Sequence, residues 1–387
     1  MAPDILTLCK APTVLALVSF IVALGGNFAS PVWAGTSPHG GPGLGWPASR
    51  QSPNPQVLQA AVSQQAAAPV PSGLFPSLEK AVPFRGAYVA RSGSMWVPWI
   101  SKEAGLFEKY GLDVKQDYVG MSSRPVEGMI TGTFEFLAIA GPTVLIANLS
   151  GLDIVMVAGL VSKPHQSIIV KSGITAPGDL RGKKLGTSQR SSSVFFLFSR
   201  AIRQWGLDPD KDVSILSVGG PPENFAALSA GQIDGSLLSE PERTRALNAG
   251  FKELAKLSEL GVKTQSVTIA TTLKLINNNP DGVRRLVAAI SEGAHRLKRD
   301  KAFALQVMTK YTRLNDPSAL QGIYEVYAPI TEEIPLPTVE GIQADLEDLC
   351  ASGQKPQACQ ARPERFFVLK FVRDLQESGF YKTLPGR

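Results

Sequence analysis

Three histidines and three cysteines in 387 residues leave little material for metal or thiol chemistry. No Cys-x-x-C pair occurs, and no glycine-rich loop has the form that cradles a phosphate. After Leu24 no apolar run is long enough to cross a bilayer. Charge is modest too: 19% of residues are charged and the net charge is +6. The basic residues are scattered along the chain instead of massed on one stripe, which argues against a nucleic-acid partner. With 44% hydrophobic residues the chain has enough apolar material for a globular core, and its length suits two or so domains.

What is present at the start reads as an address. Lys10 precedes an apolar run from Ala11 to Leu24, then Gly25-Gly26 and Pro31-Val32-Trp33-Ala34-Gly35. Val32 and Ala34 are small residues at the two positions a signal peptidase reads, so residues 1–34 are expected to be a signal peptide cleaved after Ala34. The alternative is an uncleaved anchor helix. Cys9 lies before the apolar run and so is not placed for lipid attachment. Residues 35–80 hold eight prolines, six glycines and a single acid, Glu79. Too few large apolar residues are there to offset the entropy of ordering, so a flexible linker is expected. Of the cysteines only Cys350 and Cys359 follow the signal. In an exported protein they are expected to form a disulfide across a short loop with Gly353 and Pro356, contributing about 2 to 3 kcal/mol.

From Phe84 to Leu257 strand-like and helical runs alternate, the pattern of a parallel α/β sheet. The two halves of this region repeat each other. Gly132, Phe134, Glu135, Pro142 and Gly151 recur at one constant offset as Gly231, Ile233, Asp234, Pro241 and Gly250. The same offset sets Arg91-Ser92-Gly93-Ser94 against Arg190-Ser191-Ser192-Ser193, each after a short strand and before a helix. Gly111-Leu112-Asp113 matches Gly206-Leu207-Asp208 after a small shift. Glycine after a helix and proline in a first turn have backbone reasons alone. Those reasons do not explain an arginine and hydroxyls at both strand-to-helix corners, which is where open α/β sheets bind ligands. Residues 81–171 and 265–387 are expected to form one lobe and 172–264 an inserted second lobe. Ser167 to Lys171 and the β-branched stretch Thr264 to Ile276 would be the two crossings of the hinge. The helix from Asp281 to Asp300 shows a core face with Val283, Leu286, Val287, Ile290 and Leu297.

Several pieces carry a resemblance: Ile100-Ser101-Lys102-Glu103-Ala104-Gly105-Leu106-Phe107-Glu108-Lys109-Tyr110-Gly111-Leu112, then Asp179-Leu180-Arg181-Gly182-Lys183-Lys184, then Ala230-Gly231-Gln232-Ile233-Asp234 and Glu240-Pro241. From about Phe84 to the C-terminal helices the chain resembles the periplasmic solute-binding proteins of nitrate, sulfonate and taurine ABC importers. The resemblance implies an α/β, two-lobed periplasmic-binding-protein fold of type II, with doubly wound lobes on a two-strand hinge. It also implies no cofactor, a small-molecule ligand, and an ABC transporter permease in the membrane as partner. Family binding residues would fall on Ser92 to Trp96, on Gly141-Pro142-Thr143 and on Gln189 to Ser193. The long linker and Cys350 and Cys359 depart from that pattern.

The chemistry of these segments favours an anion. Free backbone N–H groups at the helix start after Arg190, with the hydroxyls of Ser191, Ser192 and Ser193, form a local positive site. Arg91 and Arg190 could add bidentate contacts to a carboxylate or sulfonate. The bland alternative is that the serines cap the helix and the arginines are solvated. Gly93 is expected to leave room for a ligand body beside Trp96, which is either an aromatic wall for an organic solute or packing, while Trp99 reads as packing. Glu240 breaks the repeat, and either accepts N–H groups from the ligand or forms a hinge salt bridge. Phe195 and Phe225 read as core, His165 as a surface or hinge residue, and His295 as exposed on its helix. The cleft segments contain no cysteine, and nucleophilic catalysis would need an activated cysteine or serine beside a base.

An exported, monomeric, non-enzymatic binding component of an importer is therefore expected, in the periplasm or another extracytoplasmic space. A ligand-sensing module for a signalling partner and a small-molecule lyase or hydrolase on the same fold are the alternatives. The address itself is testable by the intact mass of the chain made in a bacterial host. Loss of residues through Ala34 is the expected result, and an unprocessed N-terminus on a membrane-bound form would establish the anchor instead.

Overall fold

Every residue of Ile154–Val161 is buried, as in a strand covered on both faces. It is β4 in the computed structural model, which describes residues 75–120, 124–189 and 192–385. These belong to one compact unit. The expected signal peptide and most of the expected linker lie outside the described residues. So do Arg190 and Ser191, and the side chain of Ser193.

Among the described residues ten strands form two sheets of five. In the first, β1 (Val82–Tyr88) pairs in parallel with β2 (Leu112–Tyr118) and with β3 (Phe136–Ile139). The late strand β10 (Val267–Thr272) lies antiparallel between β3 and β4. In the second, β6 (Lys184–Thr187) pairs in parallel with β7 (Ser214–Ser217) and β8 (Gly235–Leu238), while β5 (Ser167–Val170) lies antiparallel between β8 and β9 (Lys252–Lys256). The orders β2-β1-β3-β10-β4 and β7-β6-β8-β5-β9 are the same pattern twice. The sequence repeat is therefore a repeat of topology. Its glycines have the expected backbone cause: Gly132 and Gly231 adopt φ of 77° and 73°, and Gly151 and Gly250 adopt 88° and 90°. Only glycine enters that left-handed region without strain.

The second sheet shows how its sequence buries two faces. Along β5, Ile168 and Val170 point into a core with Leu185, Leu197, Phe198 and Ile202, whereas Ile169 points into a separate core with Leu228, Leu238 and Ala246. This is the period of two that a strand imposes. Phe195 and Phe225 pack half-buried at the margins of those two cores. The first sheet shares one large core with the C-terminal helices. There the helix Pro280–Arg299 buries Val283, Leu286, Val287, Ile290 and Leu297, and also His295, whose Nε2 lies 2.7 Å from the Pro385 carbonyl oxygen. The expectation of an exposed His295 is thus corrected, because C-terminal chain covers that face of the helix. Cys350 and Cys359 form a disulfide from the end of the helix Val339–Ala351 to the turn Pro356–Gln360.

The crossings differ from the sequence reading in place. Ser167–Val170 is a strand inside the second sheet, paired on both sides, so the first crossing is residues 162–166. The second is residues 263–266, just before β10 returns to the first sheet. Gln265 is fully buried there. Its Nε2 donates to the carbonyl oxygens of Val161 (3.2 Å) and Val267 (2.9 Å), and its Oε1 accepts from Thr338 N (2.8 Å). Its own N–H donates to Asp345 Oδ2 at 3.0 Å, and its carbonyl accepts from Gly141 N at 3.0 Å. Gln265→Leu keeps the volume and strands the Thr338 N–H. An unmade buried hydrogen bond costs about 1 to 3 kcal/mol, so denaturant unfolding should show a loss of that size. An unchanged midpoint would mean that water or a backbone shift replaces the side chain.

Candidate functional site

Strands of one sheet direction end on the same side, so the corners after β1, β3, β6 and β8 gather around one space. A cavity of about 470 Å³ lies there. The first sheet contributes Arg91, Ser92, Ser94 and Pro142, the second contributes Ser188, Val194, Glu240 and Glu242, and the crossings contribute His165, Gln166, Thr264 and Ser266.

The first corner is built on glycine. A Cβ at Gly93 would stand 2.3 Å from the Tyr327 ring, so the chain turns there only because no side chain is present. Tyr327 fills the room expected for a ligand body. Trp96 is 1% exposed and donates Nε1–H to the Ala304 carbonyl at 3.0 Å. Both residues therefore serve packing beneath the corner, and neither lies on the cavity wall. Trp99 stacks on Tyr311 with centroids 4.7 Å apart, in keeping with a packing role. Ser92 and Ser94 bring their hydroxyl oxygens within 2.8 Å of each other, with Ser92 making no cap to the helix. Arg91 is exposed and sits over the Tyr118 ring, 4.5 Å from its centroid.

The second corner opens the helix Ser193–Gln204. Ser192 Oγ accepts from Phe195 N at 3.2 Å, so this hydroxyl does cap the helix, as the bland reading held, and its own O–H remains able to donate. Gln189 is exposed off the cavity wall, and its carbonyl accepts from Ser192 N at 2.8 Å. Behind β3, Pro142 lines the cavity. Gly141 is packed on the hinge, where a Cβ would come within 2.4 Å of the Gln265 carbonyl oxygen. Thr143 is half-buried in the first helical turn with its N–H on Ala140 O at 3.2 Å, away from the wall.

Glu240 lines the cavity but does not form the hinge salt bridge that was one of its two expected roles. Its carboxylate accepts from Arg243 Nη1 at 2.9 Å and from Thr244 N at 3.2 Å, both in its own lobe, so the ion pair does not bridge the hinge. Arg243 is in turn held on both Glu253 oxygens at 2.6 and 2.9 Å. This network fixes a negative charge at the cavity wall. Glu242 beside it is buried, and that burial raises its pKa against the pull of Arg245, whose Nη1 is 3.3 Å away. On the first lobe, burial and the charge of Glu240 raise the pKa of the Tyr327 hydroxyl, which stays protonated.

His165 stands in the first crossing, as its sequence position suggested, with its ring 5.0 Å from that of Tyr327. Burial lowers its pKa to about 4, so it is neutral near pH 7. Sequence reasoning missed Tyr327, which packs beneath the first corner, and the exposed Arg313, a left-handed residue (φ 58°) that lines the cavity. Both come from C-terminal helices that have no counterpart in the repeat, so no pattern pointed to them. Among the described residues no group of three His, Cys, Asp or Glu side chains is placed to hold a metal.

Comparison with known proteins is informative at this point. The family model described as NMT1/THI5 like matches residues 99–301. A putative binding protein of Brucella abortus is 25% identical over 237 residues, covering 60% of this chain and 73% of that protein. The periplasmic aliphatic sulphonate binding protein SsuA of Escherichia coli superposes with a TM-score of 0.64 at 19% identity, over 74% of this chain and 92% of SsuA. The desulfurization enzyme DszB shares the architecture with a TM-score of 0.55 at 14% identity, over 76% of this chain and 99% of DszB. The fold is thus the type II periplasmic-binding-protein fold.

The depressed pKa of His165 has a measurable consequence. The unfolded chain takes up a proton near pH 6.5 and the folded chain only near 4, so stability present above 6.5 is lost as pH falls through that window. Asp345 works the other way: burial raises its pKa from 3.8 to about 7, and its penalty is relieved as pH falls through 7. The parent alone therefore mixes two opposed terms. The melting-temperature difference between parent and His165→Gln isolates the histidine, and it should shift against the parent from pH 7 to 4. A difference independent of pH would show that His165 titrates normally in the folded state.

Proposed function

The chain belongs to the NMT1/THI5-like family, and from that premise we propose that it is the exported substrate-binding component of an ABC-type importer. It takes a small anionic organic solute, a sulfonate or carboxylate, between its lobes and passes it to a membrane permease. It works as a monomer outside the cytoplasm, with residues 1–34 as its signal and 81–171 plus 265–387 closing on 172–264.

The observation that carries this reading is the cavity of about 470 Å³ at which two like-built sheets present their strand-to-helix corners to each other. A helix start offers N–H groups to an anion, and the corner helix opens onto this cavity through Val194 and Leu197. Arg91 and Arg313 stand at the rim on the first lobe, and Arg190 and Ser191 adjoin the second corner in sequence. In this reading Arg190, Ser191, Ser192 and Ser193 hold the anionic group, with Ser92, Ser94 and Arg91 opposite. The acidic wall at Glu240 and Glu242 meets the uncharged or N–H-bearing end of the solute. The size of the cavity suits a small molecule.

A thermal-shift screen over small sulfonates, carboxylates and amides identifies the solute class, since a ligand that binds only the folded state raises the melting point. At least one anionic probe should do so. Calorimetry on Arg190→Ala, Ser192→Ala and Arg91→Ala then tests the corners. Losing a charge-assisted hydrogen bond should weaken binding about tenfold to a hundredfold for Arg190→Ala, more than for Arg91→Ala, with the unliganded melting point unchanged. If all three variants bind as the parent does, the corners are only helix caps. Recovery of a chemically altered probe would replace the binding reading with an enzymatic one.

A further inference from the structure

Arg200 starts in the second lobe and ends in the first. It lies on the corner helix Ser193–Gln204, two turns beyond Ser192, and its guanidinium reaches the helix Val339–Ala351. One nitrogen donates to the Lys263 carbonyl in the second crossing. The other donates to the Ala344 carbonyl at 3.0 Å and to Asp348, and lies 3.7 Å from Asp345. Asp345 in turn accepts from Thr264 Oγ1 at 3.1 Å and from Gln265 N at 3.0 Å. One cluster thus joins the helix that begins at the candidate ligand corner, the crossing strand, and a helix of the other lobe.

Burial makes the cluster sensitive to geometry. Side-chain exposures are 17% for Arg200, 4% for Asp345 and 15% for Asp348. Burial raises the pKa of both aspartates, while Arg200 acts to lower it. Buried ion pairs add little net stability, but removing one partner leaves the other charged and stranded. A rotation of the second lobe would carry Arg200 off Ala344 and Asp348 and leave two carboxylates behind. The lobes also meet elsewhere at close quarters: a Cβ at Gly322 in the helix Pro317–Ile330 would come within 2.7 Å of Thr244 Oγ1.

We propose that Arg200, Asp345 and Asp348 form a cross-lobe clasp that sets the angle between the lobes, and hence the share of protein that is closed before ligand arrives. That the clasp governs affinity rests on reading the cleft as the ligand site, because apparent affinity scales with the binding-competent share. The lobe angle itself is measurable with no ligand, so the two readings fail separately.

Spin labels on Lys115→Cys in β2 and Ser214→Cys in β7, exposed positions on the outer strands, report the lobe separation in full-length protein carrying Cys9→Ser. Electron double resonance on unliganded protein should give one narrow distance distribution for the parent. Arg200→Met and Asp348→Asn should each move the open-to-closed ratio roughly tenfold or more toward longer distances, and the double variant no further, as coupled partners require. Should Arg200→Met fail to fold, Asp348→Asn, which keeps the side-chain shape, carries the test. Unchanged distributions in a folded variant, or effects of the two substitutions that simply add, would overturn the clasp and leave the cluster as packing.

Discussion

The buried amide of Gln265 is the point on which the architecture turns. The chain passes between the two sheets twice, and both passages run beside this residue: its Nε2 holds the Val161 carbonyl at the end of β4, and its own backbone leads into β10. It also binds the first turn of the helix behind β3 through Gly141, the C-terminal region through Thr338, and Asp345 of the helix Val339–Ala351. A buried amide is tolerated only where its donors and acceptors are met, and here they are. A pivot held this way keeps the two crossings side by side, so the corners of the two lobes stay facing each other while contacts away from it set the angle between them.

From that pivot outward the electrostatics divide by position. Among the described residues Arg91 and Arg313 line the cavity on the first lobe, and the second-lobe wall carries Arg245 beside Glu240 and Glu242. Glu240 is paired with Arg243, which also binds Glu253, so its ion pair stays within the second lobe and makes no bridge between lobes. His165, kept neutral by burial, adds no charge where the crossings meet the cavity.

Much of this was legible in the sequence because the repeat is a repeat of backbone constraints. Gly132 with Gly231 and Gly151 with Gly250 mark the ends of equivalent helices, and these residues must be glycine for the same reason in both halves. The two-lobe division and the location of the corners follow from that. The local pattern misplaces the crossings by a few residues, because Ser167–Val170 is as apolar and β-branched inside a sheet as it would be in a hinge. Proximity to Ser92 alone leaves Trp96 open between the ligand and packing and places Gly93 beside the ligand. Their true partners, Ala304, Tyr327 and Ile323, come from helices more than two hundred residues downstream, and tertiary packing of that range leaves no local pattern. Arg200 was invisible for the same reason, since its meaning depends on Asp345 and Asp348.

The central claim, that a small anionic solute is held between the two corners at the hinge, is tested most directly by hydrogen exchange with and without a probe that raises the melting point. The account predicts slower exchange in residues 89–95, 188–196 and 239–244 and in both crossings, with the outer strands β2 and β7 unaffected. Protection confined to an outer face, with both corners exchanging as in the free protein, would contradict it.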